Sequence, residues 1–302
     1  SEKVTGPYVG NPGNPVLTHR HLGRNYPIVN VGHGDLVETQ NGEWWLVVLA
    51  SRPYGGYYRN MGRETFLVPV TWEDGWPIMS EGSGKVEFTY PKPNLEEHVW
   101  LPSGACDHFD EPTLDFQWNS LRGPLEEYSS LTDRPGFLRL YLKPDKLTDL
   151  STPSFVGRRQ QHINFTAATV MEFDPKQEGE CAGLVVVQSN EYHYRLTRVL
   201  KDGSQRIVLI KCEGGKDEVV AEQECDLNKI YLRVVARGQD YSFYYGETPS
   251  SLQLLLGNCD GRILSTDVAG GFVGTYIGLY ASSNGETSEN FADFDWFEYT
   301  SL

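Results

Sequence analysis

Along nearly the whole chain, short runs rich in Val, Tyr, Phe, Leu and Trp alternate apolar with polar residues, and Gly, Pro, Asn or Asp cuts them off about every eight to twelve residues. A period of two presents one face of a strand to a core, and intervals this short leave no room for helices of ordinary length. Residues 44–50, 66–72, 137–142, 182–188, 192–198, 207–211, 230–236, 241–245 and 276–281 are such runs. No amphipathic helix longer than two turns is predicted, although 95–99 and 144–149 have the length of single turns. The fold class is therefore all-β.

A chain of 302 residues exceeds what one core usually organises. The composition shifts near residues 100 to 110, which divides the chain into 1–105 and 106–302. The first part is rich in Gly, Pro and Trp and has long polar connections. The second opens at Phe109-Asp110-Glu111-Pro112 and runs as a regular series of strands to Phe294-Asp295-Trp296-Phe297-Glu298-Tyr299. Antiparallel strands of that number without helices read as a β-sandwich, and the alternation over 291–299 predicts a last strand that closes back on the first. At about 40 to 45 residues per four-stranded blade, residues 1–105 hold only about two propeller blades, and a propeller closes with at least about four.

Charge and composition exclude several partners. Forty-one Asp and Glu against 26 Lys and Arg leave a formal charge of −15, the opposite of the basic stripe that nucleic acid requires. No run approaches the roughly 18 to 20 apolar residues of a membrane span, and the segment Ser1-Glu2-Lys3-Val4-Thr5 lacks an apolar signal region. The chain is expected to be soluble, with no nucleic-acid or membrane partner, and its compartment stays open between cytoplasmic and secreted. Cys106, Cys181, Cys212, Cys225 and Cys259 show none of the short spacings of zinc or redox motifs, so they are expected to be packed residues without metal or thiol chemistry.

Dense motifs occupy the first hundred residues. In order they are Gly6-Pro7-Tyr8, Asn14-Pro15-Val16-Leu17-Thr18, Gly32-His33-Gly34-Asp35-Leu36-Val37, Arg52-Pro53, Gly62-Arg63-Glu64-Thr65 and Trp72-Glu73-Asp74-Gly75-Trp76-Pro77. This order resembles the later blades of glycoside hydrolase family 43, in the β-xylosidase and α-L-arabinofuranosidase branch. Phe137-Leu138-Arg139-Leu140, Phe155-Val156-Gly157-Arg158-Arg159-Gln160, Phe272-Val273-Gly274 and Phe291-Ala292-Asp293-Phe294-Asp295 are similar to signatures of that branch's C-terminal domain. The resemblance implies the last blades of a five-bladed β-propeller over 1–105, followed by a concanavalin-like β-sandwich over 106–302.

It also implies inverting glycoside hydrolysis, in which one carboxylate activates water and a protonated one serves the leaving oxygen. The substrate expected is a xylo- or arabino-oligosaccharide derived from xylan. The three catalytic acids of the family precede anything that matches Gly6-Pro7-Tyr8, so none is assigned here. An N-terminal propeller fragment is the expected partner, and the chain alone is expected to be inactive. A non-catalytic carbohydrate-binding or scaffolding sandwich is the alternative.

Three residues are candidates for substrate binding. His33 lies between two glycines; by itself it reads as a buried core histidine, whereas the resemblance places it at the funnel floor and implies that it helps hold a structural calcium through a mostly water-filled shell. No cofactor is required. Arg63 reads either as a salt-bridge partner or, by the resemblance, as a fork to sugar hydroxyls. Phe272 follows Gly270-Gly271 and is either one more core aromatic or, by the resemblance, a ring that caps the sugar pocket. Asp35 and Glu64 permit a paired-carboxylate reading with His33 and Arg63, but with so many acids the plainer reading is carboxylates satisfied by Arg or backbone donors. Asp293 and Asp295 could hold calcium, yet strand carboxylates are more often simply solvated.

Overall fold

The computed structural model describes residues 1–101 and 103–302. They form two compact units, Ser1–Pro53 with Arg63–Leu101, and Tyr54–Gly62 with residues 103–302. The chain thus leaves the first unit for nine residues, Tyr54–Gly62, and then returns to it.

The first unit holds one antiparallel sheet in simple meander order, β1 (Val29–Glu38), β2 (Trp44–Ser51), β3 (Glu64–Glu73) and β4 (Trp76–Met79). Length alone allows about two blades, but the segments before β1 and after β4 run as coil, and some of them cover the sheet. Leu46, Val48 and Ala50 of β2 and Val68 and Val70 of β3 point to one face, where Ile28, Met79 and Val86 bury them. On the opposite face, Val47 pairs with Leu67 and Val37 with Trp45. Of these, Val37, Val47 and Leu67 remain 38 to 45% exposed.

The second unit is a two-sheet sandwich. Its strands are β5 (Cys106–Asp107), β6 (Ser129–Ser130), β7 (Leu138–Tyr141), β8 (Ser154–Arg159), β9 (Asn164–Glu172), β10 (Cys181–Ser189), β11 (Tyr192–Lys201), β12 (Ser204–Glu213) and β13 (Lys216–Glu224), then β14 (Lys229–Arg237), β15 (Asp240–Gly246), β16 (Gln253–Asp260), β17 (Tyr276–Ser282) and β18 (Phe291–Ser301). One sheet runs β13-β12-β11-β10-β17-β8 and the other β16-β15-β14-β9-β18-β7-β6, with β5 paired to β18. The period-two pattern decides the packing. Phe165, Ala167 and Met171 of β9 and Ile230, Leu232 and Val234 of β14 meet Leu184 and Val186 of β10 and Ile277 and Leu279 of β17 in one core. The last strand does close on the first, because Phe297 pairs with Asp107 and Glu298 with Cys106.

Among the described residues no helix exceeds four residues, the α-helical one being α1 (Thr266–Ala269), and no helix is long and apolar enough to cross a membrane. Residues 95–99 form no helical turn. The five cysteines carry free thiols, four of them buried and Cys106 half-buried.

Candidate functional site

Strand β1 is irregular where His33 stands. Gly32 pairs with Leu49 and Gly34 with the adjacent Val48, so His33 is an extra residue in a bulge, with φ of 45°. A bulge re-aims the side chain it carries, and His33 is exposed rather than a buried core histidine. Gly34 has a separate reason to lack a side chain, since a Cβ there would stand 2.6 Å from Leu46 Cδ1. The bulge also interrupts the alternation that would have set His33 and Asp35 on one strand face. Calcium takes six to eight oxygen ligands. Among the described residues His33 belongs to no group of three convergent His, Cys, Asp or Glu side chains, so the residues around it do not build a calcium site by themselves.

Arg63 immediately precedes β3 and is exposed. The ladder Gly32↔Leu49↔Thr65 brings the starts of β1 and β3 to the same end of the sheet, one on each side of β2. His33 and Arg63 are thus placed at one end of one sheet, two strand spacings apart, or roughly 10 Å.

Glu64 is committed elsewhere. Arg52 donates from Nε to Glu64 Oε2 at 2.9 Å and from its terminal nitrogen to Oε1 at 2.6 Å. This fork holds the Arg52 guanidinium above its ordinary pKa, the hydrogen bond to Glu64 being the main cause. Both Glu64 oxygens are taken by this fork, which answers the paired-carboxylate reading for Glu64. The pair lines a cleft of about 500 Å³ whose apolar wall includes Trp45, Leu67 and Phe88, with Lys92 at its edge. Neither His33 nor Arg63 lines it. Sequence reasoning passed over Arg52, although Arg52-Pro53 and Gly62-Arg63-Glu64 flank one connection, and the Ala50↔Glu64 register makes Arg52 and Glu64 neighbours.

Phe272 lies in the second unit, on the segment between α1 and β17, and is 69% exposed. It is therefore not a core aromatic of the sandwich. The segment around it is tightly held. Gln188 donates to the Val273 carbonyl at 2.9 Å, the Thr275 amide donates to the Asn60 carbonyl at 2.7 Å, and Thr275 Oγ1 donates to Leu264 O at 2.8 Å. The segment Tyr54–Gly62 supplies the other half of this anchorage. Arg59 grips Asp267 through its guanidinium, at 2.7 Å for the shortest bond, and buried Asn60 donates to Gly261 O at 2.7 Å and accepts from Gln239 at 2.9 Å. Arg159 donates to Met61 O at 2.9 Å and Gln160 to the Tyr54 hydroxyl at 2.8 Å. Burial then pushes the Tyr54 phenol up to about 12. Asp293 accepts from Arg134 and Arg139, and Asp295 from Lys229 at 2.6 Å, so both acids serve the sandwich as ion pairs.

Comparison with known proteins agrees with this architecture. Residues 1–77 match the pattern of the glycosyl hydrolases family 43, and residues 106–300 match the beta xylosidase C-terminal concanavalin A-like domain. The non-reducing end alpha-L-arabinofuranosidase of Bacteroides ovatus is 41% identical over 100% of this chain and 57% of its own length. A xylosidase/arabinosidase of Butyrivibrio fibrisolvens is 37% identical over 96% of this chain and 56% of its own length. Among solved structures, the family 43 protein of the Bacteroides ovatus xyloglucan locus superposes with a TM-score of 0.94 at 39% identity, covering 100% of this chain and 60% of that one. The xylan beta-1,4-xylosidase of Bacillus halodurans gives 0.92 at 32% identity, covering 99% and 59%. The chain spans less than two thirds of the length of these relatives. Its all-β architecture, family 43 propeller sequence and concanavalin-like sandwich together identify it as a member of glycoside hydrolase family 43.

Proposed function

We propose that this chain is the C-terminal part of an inverting exo-glycosidase that releases xylose or arabinofuranose from xylan-derived oligosaccharides. The observation that carries the reading is that relatives named as an arabinofuranosidase and a xylosidase/arabinosidase align along 96 to 100% of the chain, through both units. In this reading the three carboxylates that perform the displacement belong to propeller blades outside this chain. Two features support the assignment. The acid beside Arg63 is spent on Arg52. The sheet also keeps an open apolar face at Val37, Val47 and Leu67, of the kind a neighbouring blade covers.

His33 and Arg63 would then bind the sugar. The planar Arg63 guanidinium can donate two parallel hydrogen bonds to vicinal hydroxyls, and the imidazole of His33 offers one donor or acceptor. The Phe272 ring, exposed on the second unit, offers an apolar surface of the kind that packs on sugar C–H groups. A calcium beside His33 would take its oxygen ligands from water, because His33 itself offers only a ring nitrogen.

The test is hydrolysis of aryl xylosides and aryl arabinofuranosides by the purified chain, with and without a separately expressed N-terminal propeller polypeptide. The expected result is no turnover by the chain alone and turnover on mixing. Robust hydrolysis by the chain alone would sink the reading.

A further inference from the structure

Beyond the glycosidase reading, three side chains that are distant in sequence meet on the face of the six-stranded sheet turned away from the main core. His193 of β11 stands opposite Cys212 of β12, and Cys212 stands opposite Asp217 of β13. A ring nitrogen of His193, Cys212 Sγ and a carboxylate oxygen of Asp217 all fall within 4.8 Å of one another. His193 and Cys212 are wholly buried, while Asp217 reaches solvent.

The two nitrogens of the His193 ring are in different situations. Its Nδ1 lies 3.3 Å from the Ser189 carbonyl oxygen, which can only accept, so the proton resides on Nδ1. That leaves a bare lone pair on Nε2, and this atom is buried without a hydrogen-bond partner. A histidine that binds metal through one nitrogen commonly donates the other N–H to a backbone carbonyl, which fixes its tautomer in this way.

We propose that His193, Cys212 and Asp217 form a binding site for a divalent transition-metal ion of the zinc type, with water as the fourth ligand on the solvent side of Asp217. One imidazole, one thiolate and one carboxylate are a zinc or cobalt donor set and not one for calcium or magnesium, which take oxygen. Metal–ligand lengths of about 2.0 to 2.3 Å place tetrahedral ligands roughly 3.3 to 3.8 Å apart, so the three groups close in by small side-chain movements. Arg195 already donates to Asp217 Oδ2. A carboxylate has two oxygens, and the thiolate and carboxylate together neutralise the dication that Arg195 would otherwise repel. On binding, Cys212 gives up its weak donation to the Glu191 carbonyl at 3.5 Å, forms the metal–sulfur bond and releases its proton to water. The ion would pin edge strand β13 to its neighbours.

The test is titration of the EDTA-treated full chain with Co²⁺, followed by Zn²⁺. One equivalent of cobalt should bind, with a near-ultraviolet thiolate-to-cobalt charge-transfer band that zinc abolishes. Cys212→Ser should remove the band, and His193→Gln should weaken binding at least roughly tenfold. Asp217→Asn, at the solvent-reaching position, keeps the test valid if a buried variant fails to fold, and it too should weaken binding. The absence of a thiolate band in the unaltered chain would overturn the site, as would a band that persists in Cys212→Ser or an affinity unchanged in Asp217→Asn.

Discussion

Gly62 and Gly274 touch backbone to backbone. A Cβ on Gly62 would stand 2.4 Å from the Gly274 nitrogen, and one on Gly274 would stand 2.4 Å from the Met61 carbonyl oxygen. Gly62 also has a φ of 66°, which only glycine adopts without strain. Gly62→Ala is therefore expected to cost about 2 kcal/mol or more, because neither backbone can yield without breaking the bond from the Thr275 amide to the Asn60 carbonyl. The urea midpoint of the sandwich unit measures this, and an unchanged midpoint would refute the contact.

Glu180 provides a pH signature. It is 2% exposed and accepts from the Lys176 amide at 2.7 Å, from Ser288 Oγ at 2.6 Å and from Asn290 Nδ2 at 2.8 Å. Burial alone would raise its pKa, but these donors outweigh burial and leave it below the ordinary carboxylate value of 4.5. The unfolded chain therefore binds the proton more readily than the folded one. The stabilisation is complete above the unfolded pKa and disappears as pH falls through the folded one. The native chain and Glu180→Gln should differ by about 1 to 2 kcal/mol at pH 7 and converge in acid. A gap that stays constant from neutral pH down to acid would contradict this account.

Phe294 is fully buried in the main core on β18. Phe294→Ala removes a ring that its neighbours cannot replace, at an expected cost of about 3 to 5 kcal/mol. Thermal unfolding followed by tyrosine and tryptophan fluorescence would show the loss. A change of less than about 1 kcal/mol would mean that the core collapses around the vacancy.

Arg63→Ala, made in the complete enzyme, should lower kcat/KM by about 2 to 4 kcal/mol if the guanidinium binds sugar hydroxyls in the transition state. Arg63→Lys should recover little of this, because an ammonium cannot reproduce the two-pronged donor. Steady-state kinetics with an aryl glycoside decide the matter, and unchanged values would remove Arg63 from the site.

Strands whose two faces meet different environments were legible from sequence. Trp44–Ser51 and Lys229–Arg237 alternate because one face meets the core. Strands without that contrast were not. Asn164–Glu172 is buried on both faces and built of small residues, and Lys216–Glu224 is an edge strand of charged residues whose burial alternates little. Of the candidate site, the residues and their motifs could be read, but their surroundings could not. The exposure of His33 follows from a one-residue register shift, and the commitment of Glu64 to Arg52 from hairpin pairing. The reading of the cysteines as inert rested on spacing along the chain, whereas Cys212 meets His193 and Asp217 only through cross-strand register. Linear spacing contains none of this.

Strand β18 does not lie at the rim of its sheet but between β9 and β7, and its far end also holds β5. During synthesis, residues 106–107 and 164–172 emerge from the ribosome long before the partner that will lie between them exists. The segment Tyr54–Gly62 waits in the same way for residues 261–275. The sandwich is thus assembled around its last-made strand, and it reaches its native pairing only after translation has passed residue 301. Until then the edge of β9 is open to the wrong neighbour.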